Sequence, residues 1–125
     1  MKKIFTLSII TLISVVFLSS CYKHTYYDNS QDERYWLSQE RGQVVYSSPS
    51  CDFYLVQTNN GYELIHSWDG YRPFEGVILY GNFSNNGSRS FYNPEDGSFV
   101  NGEVVDYWLS WGDAQYEINQ YCGGY

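Results

Sequence analysis

Asp52-Phe53-Tyr54-Leu55-Val56-Gln57-Thr58-Asn59-Asn60-Gly61-Tyr62-Glu63-Leu64-Ile65-His66-Ser67 is the stretch whose reading decides the fold. In its first half Phe53, Leu55 and Gln57 share one side and Tyr54, Val56 and Thr58 the other, the two-residue period of a strand. Tyr62 to Ser67 repeats the pattern. Asn-Gly between two such runs is a hairpin signal, because both residues tolerate positive φ. With Asn60-Gly61 as the turn, Val56 faces Ile65 and Leu55 faces His66.

Moving outward, Val44-Val45-Tyr46 opens the same first strand, which runs from Val44 to Thr58 and is interrupted at 47–50, where Pro49 sits. Downstream the device recurs. Val77 to Ser84, then Asn85-Asn86-Gly87, then Ser88 to Asn93 predict a second hairpin, with Phe83 facing Ser90 and Asn82 facing Phe91. Residues 94–97 turn the chain, and Phe99 to Leu109 form a fifth strand that Gly102 can bend. Ser110-Trp111-Gly112-Asp113 is a helix start, and Ala114, Ile118, Tyr121 and Cys122 fall on one narrow helical face. Upstream, Ser30-Gln31-Asp32-Glu33 is a second capping box, predicting a short helix to about Glu40 that stops at Gly42.

Five strands, two hairpins and a C-terminal helix predict a mainly β domain over 42–125. The arrangement is similar to an OB-fold barrel, with a plain antiparallel roll as the alternative. It departs from the OB pattern in having the Asn85-Asn86-Gly87 turn where a helix joins the third and fourth strands. Fourteen Tyr, four Trp and seven Phe supply core area through rings, which suit a pleated, half-wet surface.

The N-terminus has a different composition. Met1-Lys2-Lys3 is basic, Ile4 to Leu18 is uncharged and mostly apolar, and Leu18-Ser19-Ser20-Cys21 closes the run. This is the layout of a secretory signal, too short for a comfortable membrane span. Leu18-Ser19-Ser20-Cys21 resembles the lipobox of bacterial lipoproteins, in the style of Bacteroidota. The resemblance implies cleavage after residue 20, lipid on Cys21, and a tether over 21–41. Tyr22 stands where Asp marks inner-membrane retention in enteric lipoproteins, which implies the outer membrane. Lys23 to Tyr27 separate Cys21 from the first acid, Asp28, so the face of that membrane stays open. Two or more acyl chains give stable anchoring without a basic patch.

Removing 20 residues leaves 105, with five cations against fourteen acids and a net charge of −9. Such a surface repels phosphate backbones, which counts against nucleic acid as a partner class; the acidity serves solubility, with a basic protein partner as the alternative reading. With Cys21 lipidated, Cys51 and Cys122 remain, and an oxidising envelope lets two thiols pair. Two buried free thiols are the alternative.

His24 lies in the tether and His66 is alone in a strand. Phosphate-loop, nucleophile-elbow and paired-His metal motifs are all missing from the chain. The expectation is therefore a non-catalytic module with no metal and no cofactor. The most site-like stretch is Trp68-Asp69-Gly70-Tyr71-Arg72-Pro73-Phe74-Glu75, with Trp68, Tyr71, Arg72 and Phe74 as candidate binding residues for a glycan or an envelope protein. The competing structural role has Trp68 and Phe74 plugging a barrel end. Two further readings stay open. Asn86-Gly87-Ser88-Arg89 and Trp111-Gly112-Asp113-Ala114 faintly resemble stretches of lysozyme-inhibitor lipoproteins, which implies binding of a basic enzyme. The other is a hydrolase whose site carries no recognisable motif.

Overall fold

A computed structural model describes residues 28–123. The expected signal over 1–20, the lipidation site Cys21 and the first part of the tether lie outside the described residues. The chain divides into two units after Arg34, and everything below concerns the second, which starts at Tyr35. Helix α1 (Asp28–Leu37) begins in the first unit and ends in the second. It is followed by β1 (Glu40–Tyr46), β2 (Phe53–Thr58), β3 (Gly61–Ser67), β4 (Ile78–Gly81), β5 (Gly87–Asn93), β6 (Ser98–Leu109) and α2 (Trp111–Cys122).

The strands close into an antiparallel barrel in the order β1-β2-β3-β6-β5-β4. Closure leaves no unpaired edge among them. The barrel and the C-terminal helix match the sequence expectation, but the barrel has six strands and not five. The stretch from Val44 to Thr58 is two antiparallel strands, with Val44 opposite Val56 and Gln43 opposite Gln57. The interruption at 47–50 is the reversal itself. Pro49 has no N–H for a ladder, and the Cys51 N–H closes the bend on the Ser48 carbonyl at 3.3 Å. Gly42, expected as a helix stop, lies inside β1. A Cβ there would collide with Val56 Cγ1 and stand 3.1 Å from the Phe83 ring. Helix α1 accordingly ends at Leu37, short of Glu40.

Both hairpins close in a different register from the one expected. In the first, Leu55 faces Leu64 and Tyr54 faces Ile65. Asn59 and Asn60 form the turn with negative φ, and Gly61, at φ +136°, pairs with Thr58 instead of sitting in the turn. In the second, β4 stops at Gly81 and the ladder contact is Tyr80 opposite Tyr92. Phe83 leaves the strand to stack on Phe91, centroids 4.6 Å apart, so 82–86 becomes a loop.

Alternation then sorts the side chains. Val44, Tyr54, Val56, Ile65, Leu79, Phe83, Phe91, Val100 and Val104 fill the barrel. Leu55 and Leu64, on the outer face, are covered by Ala114 and Ile118 of α2. Burying each such side chain is worth about 1.5–3 kcal/mol, which keeps the helix on the sheet. Ser110 Oγ accepts the Asp113 N–H (3.2 Å), and Gly123 (φ +54°) ends the helix with its N–H on the Asn119 carbonyl. Cys122 on that helix stands at disulfide distance from Cys51, with Cα atoms 5.5 Å apart. The crosslink ties the helix to the β1–β2 loop, not to a core strand. None of the described helices is long and apolar enough to cross a membrane.

Candidate functional site

The chain between β3 and β4, residues 68–77, holds all four candidate binding residues. Its conformation follows from polar side chains at its base. Ser67 Oγ donates to the Tyr71 carbonyl at 2.7 Å and lies 3.2 Å from Asp69 Oδ1, which also accepts the Tyr71 N–H at 3.0 Å. Asp69 thus folds residues 69–71 into a tight bend, and Gly70 takes positive φ within it. At the far end the Gly76 N–H donates to the Val44 carbonyl (2.8 Å), which returns the chain to β1.

Arg72 is the brace. Its Nη1 pairs with Asp52 Oδ1 at 2.9 Å and its Nη2 donates to the Pro49 carbonyl at 2.8 Å. Both partners belong to the β1–β2 loop, which the Cys51–Cys122 crosslink holds against α2. Glu75 Oε1 accepts the Ser47 N–H (3.3 Å) and joins the same two loops a second time. Arg72 is therefore half-buried, and its donors are directed at the protein's own acceptors. Pro73 is buried beneath.

The rings are left outside. Phe74 is 80% exposed, Trp68 57% and Tyr71 48%. The structure does not place Trp68 or Phe74 as a plug of the barrel. Tyr71, Phe74, Pro49, Ser47, Gly70 and Arg72 instead line a mainly apolar groove of about 310 Å³, and Trp68 stands outside that lining. Exposed rings on a loop tied by an ion pair, two side-chain bonds and a nearby crosslink form a pre-organised contact surface.

Sequence reasoning missed a second polar centre, inside the barrel at the opposite end. Glu63 shares the inner face of β3 with Ile65 and is fully buried. Its Oε1 accepts from Thr58 Oγ1 at 2.8 Å, while Oε2 has no partner among the described residues. Burial foremost, with the nearby Glu40 adding to it, pushes its carboxyl up to about 8. Glu40 itself is tied to the loops around it, accepting from Ser84 Oγ (2.9 Å), the Phe83 N–H (3.1 Å) and Asn60 Nδ2 (2.9 Å). Trp108 Nε1 donates to Ser84 Oγ at 2.9 Å. Trp108 holds φ +59°, in a part of β6 where the register against β3 shifts. The signal available in the sequence was an acid between ring and aliphatic residues of a strand, at the position that alternation aims inward.

The remaining candidates are dispersed. His66 lies flat against Phe53 (4.4 Å), which stacks in turn on Tyr121. Gly87 and Arg89 open β5, with Arg89 Nη2 donating to the Asn86 carbonyl, whereas Trp111 opens α2 on a distant part of the chain. Glu117 lies against Asp106, and burial followed by that neighbour raises its carboxyl to about 7. Among the described residues no three His, Cys, Asp or Glu side chains converge on a possible metal position. Comparison of the chain with protein-family models, curated proteins and solved structures yields no match.

Proposed function

We propose that this chain is a non-catalytic binding module of a bacterial outer membrane, lipid-anchored through Cys21, that takes its ligand on the 68–77 loop. The observation that carries the reading is the groove of Tyr71 and Phe74 beside Pro49, with rings exposed on a loop that Arg72 braces from behind. Leaving a large ring such as Phe74 four-fifths in water forgoes burial energy, and a partner that covers it recovers that energy on binding. The anchoring rests on Leu18-Ser19-Ser20-Cys21 and its basic, then apolar, preceding run.

Two measurements test this. Acyl-chain labelling of the expressed full chain is expected to be complete in the parent and absent in Cys21→Ser. Glycan arrays and envelope-protein binding assays are expected to find a saturable ligand whose affinity falls with Tyr71→Ala or Trp68→Ala. Parent and loop variants that bind every envelope component equally poorly would remove the reading.

A further inference from the structure

Resting on the reading of the 68–77 loop as the binding site, we infer that its partner is a cationic polypeptide segment, an Arg or Lys side chain of which lies in the groove between Tyr71 and Phe74. Charge complementarity commits the groove to that occupant. Among the described residues the only cation lining it is Arg72, whose guanidinium is already paired with Asp52 and with the Pro49 carbonyl. Three carboxylates surround the lining through direct contacts. Asp52 holds Arg72, Glu75 holds the Ser47 N–H, and Asp69 holds the Tyr71 N–H. None of the three is paired with any other cation among the described residues, so the rim carries a net negative charge.

The groove wall suits the same class. Two exposed rings present negative faces to which a guanidinium or ammonium is drawn, while the apolar lining takes its methylene stem. An anionic ligand would meet only carboxylates and a neutralised arginine. A neutral sugar could stack on the rings but would make no use of the acidic rim. The excess of acids over the whole expected mature chain, −9, extends the same field and would steer a basic partner toward the surface.

The test titrates an eight-residue Arg/Gly peptide and a neutral chito-oligosaccharide into the purified full chain by calorimetry, at low and at moderate salt. Phe74→Ala and Glu75→Gln are compared with the parent and with Asp113→Asn. Phe74 and Glu75 are exposed, so both substitutions leave the fold intact, and a Gln side chain keeps an acceptor for the Ser47 N–H. Asp113 is exposed at the start of α2, beyond Leu109, at the barrel end opposite the loop as judged by the pairing of Tyr62 with Leu109 and Ser67 with Gly102. Its substitution removes one equal charge from elsewhere.

The inference expects the peptide to bind and to weaken with salt. Affinity is expected to fall about threefold to fivefold in Phe74→Ala, the size of an exposed cation–π contact. Glu75→Gln loses a similar factor and Asp113→Asn well under twofold. Equal losses in Glu75→Gln and Asp113→Asn, with Phe74→Ala unaffected, would mean unspecific attraction and overturn it. Ring-dependent binding of the neutral oligosaccharide without the peptide would overturn the cationic partner and leave the loop as the binding site. Binding of neither would remove both.

Discussion

Glu63→Gln isolates the energetic role of the buried carboxyl. In the folded protein this group titrates at about 8, against an ordinary value of 4.5, because the barrel strips it of water and Glu40 lies nearby. Between those two pH values the folded state binds more protons than the unfolded state, so stability falls as pH rises through the window and levels off above it. At about 1.4 kcal/mol per unit the shift sets a ceiling of about 5 kcal/mol. Relaxation of the surrounding barrel around the ionised carboxylate lowers that ceiling, leaving about 2–3 kcal/mol. A Gln side chain has the same shape, keeps an acceptor for Thr58 Oγ1 and cannot ionise. At pH 5 Glu63→Gln is expected to lie level with the parent or up to about 1 kcal/mol below it, because the amide leaves two buried N–H donors unmatched where the protonated carboxyl leaves one O–H. By pH 8.5 the variant is expected to have gained about 2–3 kcal/mol relative to the parent. Urea unfolding with the crosslink intact measures both, and the pH dependence contributed by Glu117 cancels in the difference. A stability difference that does not change between pH 5 and pH 8.5 would refute the reasoning.

Other consequences follow from single contacts. Tyr54→Phe removes a hydroxyl that is fully buried without a partner among the described residues, and thermal unfolding is expected to show unchanged or raised stability, by up to about 1–2 kcal/mol. Gly61→Ala would force a side chain into φ +136° and bring its Cβ within 2.8 Å of the Leu109 carbonyl, so a loss of at least about 2 kcal/mol is expected by urea unfolding. Cys122→Ser opens a loop with a sequence separation of 71 residues. In the chain-entropy account this costs about 4 kcal/mol, and protease sensitivity is expected to appear first around α2.

Much of the candidate site was legible because it depends on residue type. Aromatics interleaved with Asp, Gly and Pro between two strands mark a surface loop with contact potential wherever the strands go. The roles within that loop were not legible. Trp68, Tyr71 and Phe74 look alike in sequence to Arg72, each an isolated large side chain, yet Arg72 is committed inward because Asp52 and the Pro49 carbonyl lie across the loop from it. Those partners are 20 and 23 residues away in the chain, beyond the reach of any local pattern.

The same division holds for the molecule as a whole. Alternation and a capped amphipathic end determined by themselves that the chain is mainly β with a terminal helix, because periodicity is a local property. The lipobox resemblance, by setting Cys21 aside, left Cys51 and Cys122 as the expected pair, and the side chains of 51 and 122 meet at disulfide distance. Strand number and register were decided only in three dimensions. The chain from Val44 to Thr58 is two strands because it reverses at 47–50 and pairs with itself, Val44 opposite Val56, while β4 pairs with the other side of β1. The burial of Glu63 follows from its register, opposite Val56 on β2. A one-residue position in the ladder sends a side chain in or out, and it is packing against distant strands that selects the position.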